Sequence, residues 1–187
     1  DVPLCIDSSV IEALEAGLAA YEGKALVNSM TGEDERMDAI LPMIKKYDAA
    51  ILALPNDETQ IPMLASERMI IVDKIVRRVE KEGIDLSNLL IDPLAMPVGA
   101  DPEAVKNTLE TIYLVREKYG LNMSIGASNV SFGLPNRHAL NAAFIPAAMA
   151  VGLTSAIMDA RTPEINTSVR AADMLMGLDP WGGNWIT

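Results

Sequence analysis

Short apolar segments alternate with longer amphipathic segments along almost the whole chain. The apolar segments cover residues 4–6, 25–27, 49–54, 89–91, 123–126 and 155–158. Segments of this length are typical of buried strands, and each is followed by a segment with helical periodicity. The pattern therefore predicts six strand–helix units.

Local signals mark where the helices should begin. Ser, Thr and Asp side chains can accept hydrogen bonds from the first free amides of a helix, and proline fits its first turn. The starts predicted in this way are the capping box of Ser9 and Glu12, Thr31, Pro62, Asp101 with Pro102, Ala139, and Thr162 with Pro163. The last four helices are expected to end near residues 81, 119, 151 and 177.

Repeated strand–helix units predict a parallel sheet with helices outside it. Two α/β architectures compete: an open doubly wound sheet, and a (β/α)8 TIM-type barrel present as about six units that lack the first two. No Gly-x-Gly-x-x-Gly segment follows a strand, which weakens a dinucleotide-binding open sheet. Residues 1–187 are expected to form a single domain with an irregular tail over 179–187. The chain begins inside a strand without an initiator methionine, which suggests a fragment.

The bulk properties exclude several classes of partner. The chain is 50% apolar, enough for a substantial core, and its formal net charge of −11 argues against binding to nucleic acid or to anionic membranes. Two explanations of this acidity are open. Solubility is the simpler one and is preferred over a surface that meets a basic partner. The single cysteine, Cys5, excludes an internal disulfide and is expected in the core. Without a membrane-spanning run or signal peptide, a cytoplasmic protein is expected.

A polar loop over residues 126–137 lies between a strand and a strongly helical segment. Ser128 and Asn129 stand at the strand end, and Asn136 and Arg137 stand at the helix entrance. A simple connection rarely needs so many hydrogen-bonding side chains. Loops in this position carry function in βα folds, so this one is predicted to bind a ligand.

Five strand ends carry a carboxylate or a carboxamide. These residues are Asp7, Asn28, Asp92, Asn129 and Asp159. One such Asp is commonly a turn former, but in a barrel all five would meet on one face, and this placement favours the barrel. The set offers hydrogen-bond acceptors and paired donors but no strong nucleophile and no metal site. Because a carboxylate can accept two parallel hydrogen bonds from an amidine-like edge, a pterin or purine site is predicted.

Other candidates are weaker. Because His138 is the one histidine, the sequence does not favour a catalytic triad or a metal cluster. Arg137 is better placed, since an arginine at the rim can bind a carboxylate tail or stack on a ring. Lys24 and Lys74 lie away from the strand ends and are expected to be solvated. The 11 methionines are expected to fill the core.

Several of these segments resemble the pterin-binding methyltransferases. The segments are Asp7-Ser8-Ser9, Asn28-Ser29, Ile91-Asp92-Pro93-Leu94 and Gly126-Ala127-Ser128-Asn129-Val130-Ser131, followed by Asn136-Arg137. The resemblance covers nearly the whole chain except the tail. It extends to free-standing methyltetrahydrofolate:corrinoid methyltransferases and to the folate module of cobalamin-dependent methionine synthase. It implies a dihydropteroate-synthase-like (β/α)8 barrel, present here as the third to eighth units.

The resemblance also implies a reaction, the transfer of a methyl group between N5 of tetrahydrofolate and the cobalt of a corrinoid protein. The implied pterin-binding residues are Asp7, Asn28, Asp92, Gly126, Ser128, Asn129 and Arg137. Asn129 and Asp92 are the implied catalytic residues. Asn129 would hydrogen-bond N5 as the methyl group departs, and Asp92 would share a proton across the ring.

The resemblance further implies partners. No Asp-x-His-x-x-Gly segment of a cobalamin-binding module is present, so the corrinoid would be carried by a partner protein. Tetrahydrofolate or methyltetrahydrofolate would be the substrate, and a homodimer is possible because homodimers are common in the resembling enzymes.

Two alternatives remain. A dihydropteroate synthase-like enzyme would need basic residues for a pyrophosphate leaving group, and residues 94–99 and 158–160 contain none. A non-catalytic pterin-binding subunit would take up folate without turnover.

Overall fold

The computed structural model describes residues 2–59 and 61–186. The strands are β1 Cys5–Asp7, β2 Leu26–Thr31, β3 Ala50–Leu54, β4 Leu89–Ile91, β5 Asn122–Gly126 and β6 Ser155–Ile157. The helices are α1 Ile11–Ala20, α2 Asp34–Tyr47, α3 Ala65–Lys81, α4 Ala104–Tyr119, α5 Arg137–Ala150, α6 Pro163–Leu175 and α7 Gly183–Ile186. Strands and helices therefore alternate as the hydrophobic pattern predicts.

The six strands are parallel, and each pairs with the next strand along the chain. A doubly wound sheet reverses its strand order at a switch point, whereas a barrel wall does not. The sequential order confirms the barrel interpretation over the open sheet. The chain forms a half-barrel of six strand–helix units.

The core lies between the strands and the surrounding helices. α2 shows why, because its buried residues are all apolar and recur at helical spacing: Met37, Ile40, Leu41, Met43 and Ile44. Strand residues such as Ile51, Ile91 and Met123 are also fully buried. Burial of one such side chain is worth about 1.5–3 kcal/mol, so this layer supplies most of the stability. Met30, Met37, Met43 and Met123 lie in this core, but Met63, Met174 and Met176 are exposed, so the expectation is confirmed for only some of the methionines.

Two predicted helix starts near the amino terminus are wrong. The Ser9 capping box does not form, because α1 starts after Val10, whose amide donates to the Ser8 hydroxyl at 3.1 Å. Thr31 is the last residue of β2 and does not cap α2. The amide of Asp34, the first residue of α2, instead donates to Glu58 Oε1 at 2.9 Å. Glu58 lies in the segment that follows β3.

Two later helix starts are shifted by a few residues. The Asp101 carboxylate accepts from the Glu103 amide at 2.9 Å and makes a turn, so α4 begins only after Glu103. α3 begins after Leu64, whose amide donates to Glu67 at 3.3 Å, and Pro62 lies outside the helix. The Asp101 turn precedes α4 and delays it, whereas the Glu67 side chain caps α3 and fixes its start after Leu64.

The start of α6 is confirmed, since Thr162 is its N-cap residue and Pro163 its first helical residue. The tail is more regular than expected. The buried Asp179 carboxylate accepts hydrogen bonds from the amides of Asn184 and Trp185 at 3.1 Å, which stabilises the short helix α7. Residue 187 lies outside the described residues.

Cys5 is exposed, and the expectation of a core cysteine is wrong. It lies on β1, at one edge of the sheet in the described chain. Lys24 and Lys74 lie at the surface, within 3.2 Å of Asp48 and 3.1 Å of Asp34 respectively. No helix within residues 2–59 and 61–186 is both long and apolar enough to cross a bilayer.

Candidate functional site

The carboxyl ends of the strands carry the polar residues that the sequence singles out. Asp7 ends β1, Asn28 lies in β2, Asp92 directly follows β4, and Gly126 ends β5. Since all the strands are parallel, these ends face the same side of the half-barrel. Direct contacts join the residues into two groups, one on β1 and β2 and one on β4 and β5.

Asp92 is fixed at the end of β4 by backbone hydrogen bonds. Its amide donates to the Ala53 carbonyl at 2.9 Å and continues the pairing of β4 with β3. Its carboxylate accepts from the Leu94 amide at 2.8 Å, and the Gly126 amide also favours its ionised form. Burial raises the pKa of Asp92 to about 6, against the opposing effect of these amides and of the Arg68 charge. Asp92 is therefore a desolvated carboxylate that is mainly ionised at neutral pH.

Gly126 lies near both Asp92 and Asn129. Its amide lowers the pKa of the Asp92 carboxyl, and a Cβ placed on it would lie 3.0 Å from Asn129 Nδ2. A 3-10 turn, Ala127–Ser131, starts directly after it and carries Asn129. Asn129 is exposed. The missing side chain of Gly126 thus leaves room for the accessible amide of Asn129 on the strand next to the desolvated Asp92 carboxylate.

Asp7 and Asn28 form the second group. They are register partners on β1 and β2, and Asn28 Nδ2 donates to Asp7 Oδ2 at 3.2 Å. Arg36 of α2 donates to the carbonyls of Ser9 at 3.0 Å and of Ser29 at 3.3 Å, which holds the two loops together. These residues line a pocket of about 330 Å³ with alternating donors and acceptors.

Arg137, the first residue of α5, folds back onto the loop that carries Asn129. Its Nη2 donates to the Ser128 carbonyl at 2.7 Å, and its Nε donates to Ser131 Oγ at 3.1 Å. Its guanidinium carbon lies 5.9 Å from the centre of the exposed Phe132 ring. Arg137 therefore stabilises the loop, and its predicted contact with folate stays a prediction.

The rim beside β6 carries surface ion pairs. Arg161 donates to both carboxylate oxygens of Asp159 at 2.9 Å and lowers the pKa of Asp159 to about 2. His138 Nδ1 lies 3.8 Å from Glu164 Oε2. Across the described part of the chain, no three His, Cys, Asp or Glu side chains are grouped to hold a metal ion. The Asp159 carboxylate therefore pairs with Arg161 and makes no contact with the group on β4 and β5 among the described hydrogen bonds.

Sequence reasoning missed two residues that lie behind Asp92. Arg68 of α3 is 0% exposed and donates to the carbonyls of Pro93 and Leu94 at 2.8 Å and 3.0 Å. The Thr108 hydroxyl of α4 lies 2.9 Å from the same Leu94 carbonyl oxygen. A signal existed, because Arg68 occupies the apolar face of α3 one turn before Val72, where a hydrophobic residue is expected.

Comparison with known sequences identifies relatives over most of the chain. A family model described as pterin binding enzyme matches residues 1–159. The methylcorrinoid:tetrahydrofolate methyltransferase of Eubacterium limosum is 32% identical over 182 residues, which are 96% of this chain and 67% of that protein. The methionine synthases of Mycobacterium leprae (strain TN) and Mycobacterium tuberculosis are each 30% identical over 172 residues. That match covers 85% of this chain but 14% of each synthase.

Comparison with solved structures supports the barrel. A dihydropteroate synthase from Xanthomonas albilineans, solved with 4-aminobenzoic acid, superposes with a TM-score of 0.67 at 18% identity. A dihydropteroate synthase from Coxiella burnetii, solved with pteroic acid, gives a TM-score of 0.67 at 16% identity. The two matches cover 96% and 95% of this chain and 68% of each synthase chain. At these identities the likeness establishes the fold alone.

The family match covers most of the half-barrel. Residues 1–159 include both groups of rim residues, and the half-barrel is the fold that the solved neighbours share. The chain therefore belongs to the family of pterin-binding enzymes.

Proposed function

We propose that this protein transfers a methyl group between N5 of tetrahydrofolate and the cobalt of a corrinoid held by a partner protein. The observation that carries this proposal is that Asp92 follows β4 and Asn129 follows the neighbouring parallel strand β5, with Gly126 near both residues. The names of the relatives give further support, because they are methyltransferases that act on methylcorrinoid and tetrahydrofolate, or make methionine.

The rim residues suit a pterin. An ionised, partly buried carboxylate such as Asp92 can accept two parallel hydrogen bonds from the N–H groups along the amino-pyrimidine edge. The bond strengthens in a desolvated site, provided that the carboxylate gains donors in return. The pair of Asp7 and Asn28 offers further acceptors and donors on the neighbouring strands. We therefore assign Asp92, Asp7 and Asn28 to pterin binding.

We assign Asn129 to the chemical step. When the N5–methyl bond breaks, its electron pair stays on N5, which then takes a proton from solvent, and the methyl group passes to the cobalt. The corrinoid, in its Co(I) state, supplies the electron pair for the new bond. The Asn129 amide can donate a hydrogen bond to N5 that strengthens as charge develops there. A neutral amide cannot be the proton source, so its role is to stabilise the transition state.

The loop around Asn129 completes the assignment. Gly126 admits the ring because a side chain there would crowd Asn129, and Ser128 belongs to the same 3-10 turn. Arg137 holds the turn in place through the Ser128 carbonyl. We expect these residues to shape the pocket, with Arg137 close to the folate.

A methyl-transfer assay tests the proposal. The full protein is mixed with methyltetrahydrofolate and cob(I)alamin, and methylation of the corrinoid is followed by its absorbance. We expect transfer that is lost in Asp92→Asn. Folate binding without any transfer would contradict the proposal and favour a non-catalytic pterin-binding subunit. Condensation of a pterin pyrophosphate with 4-aminobenzoic acid would favour a synthase instead.

A further inference from the structure

We propose that Arg68 and Thr108 are positioning residues that set the direction of the Asp92 carboxylate through the Leu94 peptide. The pair is called the Leu94 clamp below. This inference deepens the proposed function and rests on it for the role of Asp92 in pterin binding. Both residues lie on outer helices, Arg68 on α3 and Thr108 on α4, behind the strand ends.

Arg68 is an unusual residue for its position. Its neighbours on the buried face of α3 are apolar, yet its side chain is 0% exposed. Burial of a guanidinium is costly unless most of its donors are matched by acceptors. Its Nε donates to the Pro62 carbonyl at 3.0 Å, and its Nη1 donates to Pro93 and Leu94 at 2.8 Å and 3.0 Å. The partners are thus backbone carbonyls of the two segments that flank the rim.

Thr108 binds the same segment from α4. Its hydroxyl oxygen lies 2.9 Å from the Leu94 carbonyl oxygen, 2.9 Å from the Ala104 carbonyl oxygen and 3.5 Å from Arg68 Nη1. The side chain is 1% exposed. Two helices therefore converge on one carbonyl group, that of Leu94.

Leu94 transmits this contact to Asp92. Its carbonyl is held by the Leu94 clamp on one side, and its amide donates to Asp92 Oδ1 at 2.8 Å on the other. Leu94 also has a φ of 62°, in the left-handed region that a leucine rarely adopts. A backbone held in such a conformation needs surrounding contacts to maintain it. The clamp supplies those contacts and so fixes the donor that orients the carboxylate.

Electrostatics act in the same direction. The positive charge of Arg68 favours the ionised form of Asp92, while burial lowers the pKa of Arg68 and raises that of Asp92. Arg68 is the charged group that acts on the Asp92 carboxyl; its other influences are burial and the two amides of Leu94 and Gly126. Loss of the clamp should therefore raise the pKa of Asp92 and misdirect its oxygens together.

A pair of threonines on α4 provides a matched test. Thr108 and Thr111 are both buried, and each hydroxyl bonds the carbonyl four residues earlier, but only Thr108 also reaches Leu94. We compare Thr108→Val with Thr111→Val for tetrahydrofolate affinity, for the free energy of unfolding and for the pKa of Asp92. That pKa is read from the carboxyl carbon by nuclear magnetic resonance in protein without folate.

We expect Thr108→Val to weaken tetrahydrofolate binding roughly fivefold to tenfold and Thr111→Val to change it less than about twofold. Arg68→Met should weaken it about a hundredfold and raise the pKa of Asp92 above its native value. Arg68→Lys should restore only part of the loss, because an ammonium keeps the charge but cannot reproduce the planar array of donors.

Equal effects of the two valine variants on folate affinity and on the pKa of Asp92 would overturn the clamp. If Arg68→Met fails to fold, the comparison of Thr108→Val with Thr111→Val still tests the clamp. Failure of the proposed function is distinguishable, because native protein would then not transfer methyl groups, while the Asp92 titration in folate-free protein would still report on the clamp.

Discussion

A single carboxylate, Asp92, combines two properties that oppose each other. It is ionised for the most part at neutral pH, as recognition of a pterin edge requires, yet it lies in surroundings that penalise its charge. The amides of Leu94 and Gly126 and the charge of Arg68 offset only part of that penalty. Functional sites often retain such destabilised groups because the ligand later supplies the missing hydrogen bonds.

This penalty predicts that the difference in the free energy of unfolding between Asp92→Asn and the native protein depends on pH. The folded pKa is about 6 and the ordinary value is 3.8, so the folded protein binds this proton more tightly than the unfolded chain. Stability from this group is therefore greatest below pH 3.8 and is lost as the pH rises to about 6. Asp92→Asn removes the penalty, which amounts to at most about 3 kcal/mol.

Urea unfolding at several pH values measures the effect. The free energy of unfolding of Asp92→Asn minus that of the native protein should increase between pH 4 and pH 7, and tetrahydrofolate binding should be lost at both. A difference that stays constant over this range would show that Asp92 does not carry the raised pKa.

At the scale of elements, the turn Ala127–Ser131 decides where Asn129 points. It follows β5 without a spacer, and Gly126 gives it room. Arg137 ties its far end to the start of α5. The turn that carries Asn129 is thus fixed between the end of β5 and the start of α5.

Gly126→Ala should therefore reduce methyl transfer about tenfold or more, because the added Cβ would lie 3.0 Å from Asn129 Nδ2 and displace it. Gly99→Ala is the matched control, since its Cβ would lie equally close, at 3.0 Å, to the flexible end of Leu134. Transfer rates of the two variants are compared at saturating folate. Similar losses in both would argue against a special role for the Gly126 contact.

The elements also show what sequence can and cannot predict. Apolar runs identify the six strands of the described chain. Burial on both faces explains this signature for the central strands but not for β1 and β6, which are largely exposed. The polar strand ends are also predictable, since parallel topology alone brings them to one rim. Helix starts are less predictable: Thr31 is a plausible cap, but Glu58 from another segment takes that role.

Arg68 lay beyond sequence reasoning for a related reason. Its partners Pro93 and Leu94 are more than twenty residues away, and no local pattern records such a contact. Only its place on an apolar helix face hints at a special environment. Contacts that position a site from behind are therefore harder to predict than the site residues themselves.

At the scale of the whole molecule, stability and chemistry lie in different layers. The apolar core fills the space between strands and helices, whereas the polar residues lie at the strand ends. This separation is common to βα barrels, whose loops can vary without loss of the core. Substitutions of apolar core residues outside the Leu94 clamp should therefore change stability and leave ligand affinity alone.

Two isoleucines on α3 test this separation. Ile75 is 0% exposed and Ile70 is 71% exposed. Ile75→Ala should lower the free energy of unfolding by about 2–5 kcal/mol, whereas Ile70→Ala should change it by less than about 0.5 kcal/mol. Tetrahydrofolate affinity, measured by calorimetry under conditions where each variant is folded, should match the native value. A large loss of affinity in folded Ile75→Ala would contradict the separation.

The most direct measurement is the effect of Asn129→Ala on two quantities, the single-turnover rate of methyl transfer at saturating methyltetrahydrofolate and the Kd for that ligand. We expect the rate to fall about a hundredfold to a thousandfold, since the lost hydrogen bond forms fully only in the transition state. The Kd should change by less than about tenfold. Asn122→Ala, at the opposite end of β5, should change neither quantity. Equal changes of rate and Kd, or no change in either, would remove Asn129 from the reaction and contradict the account.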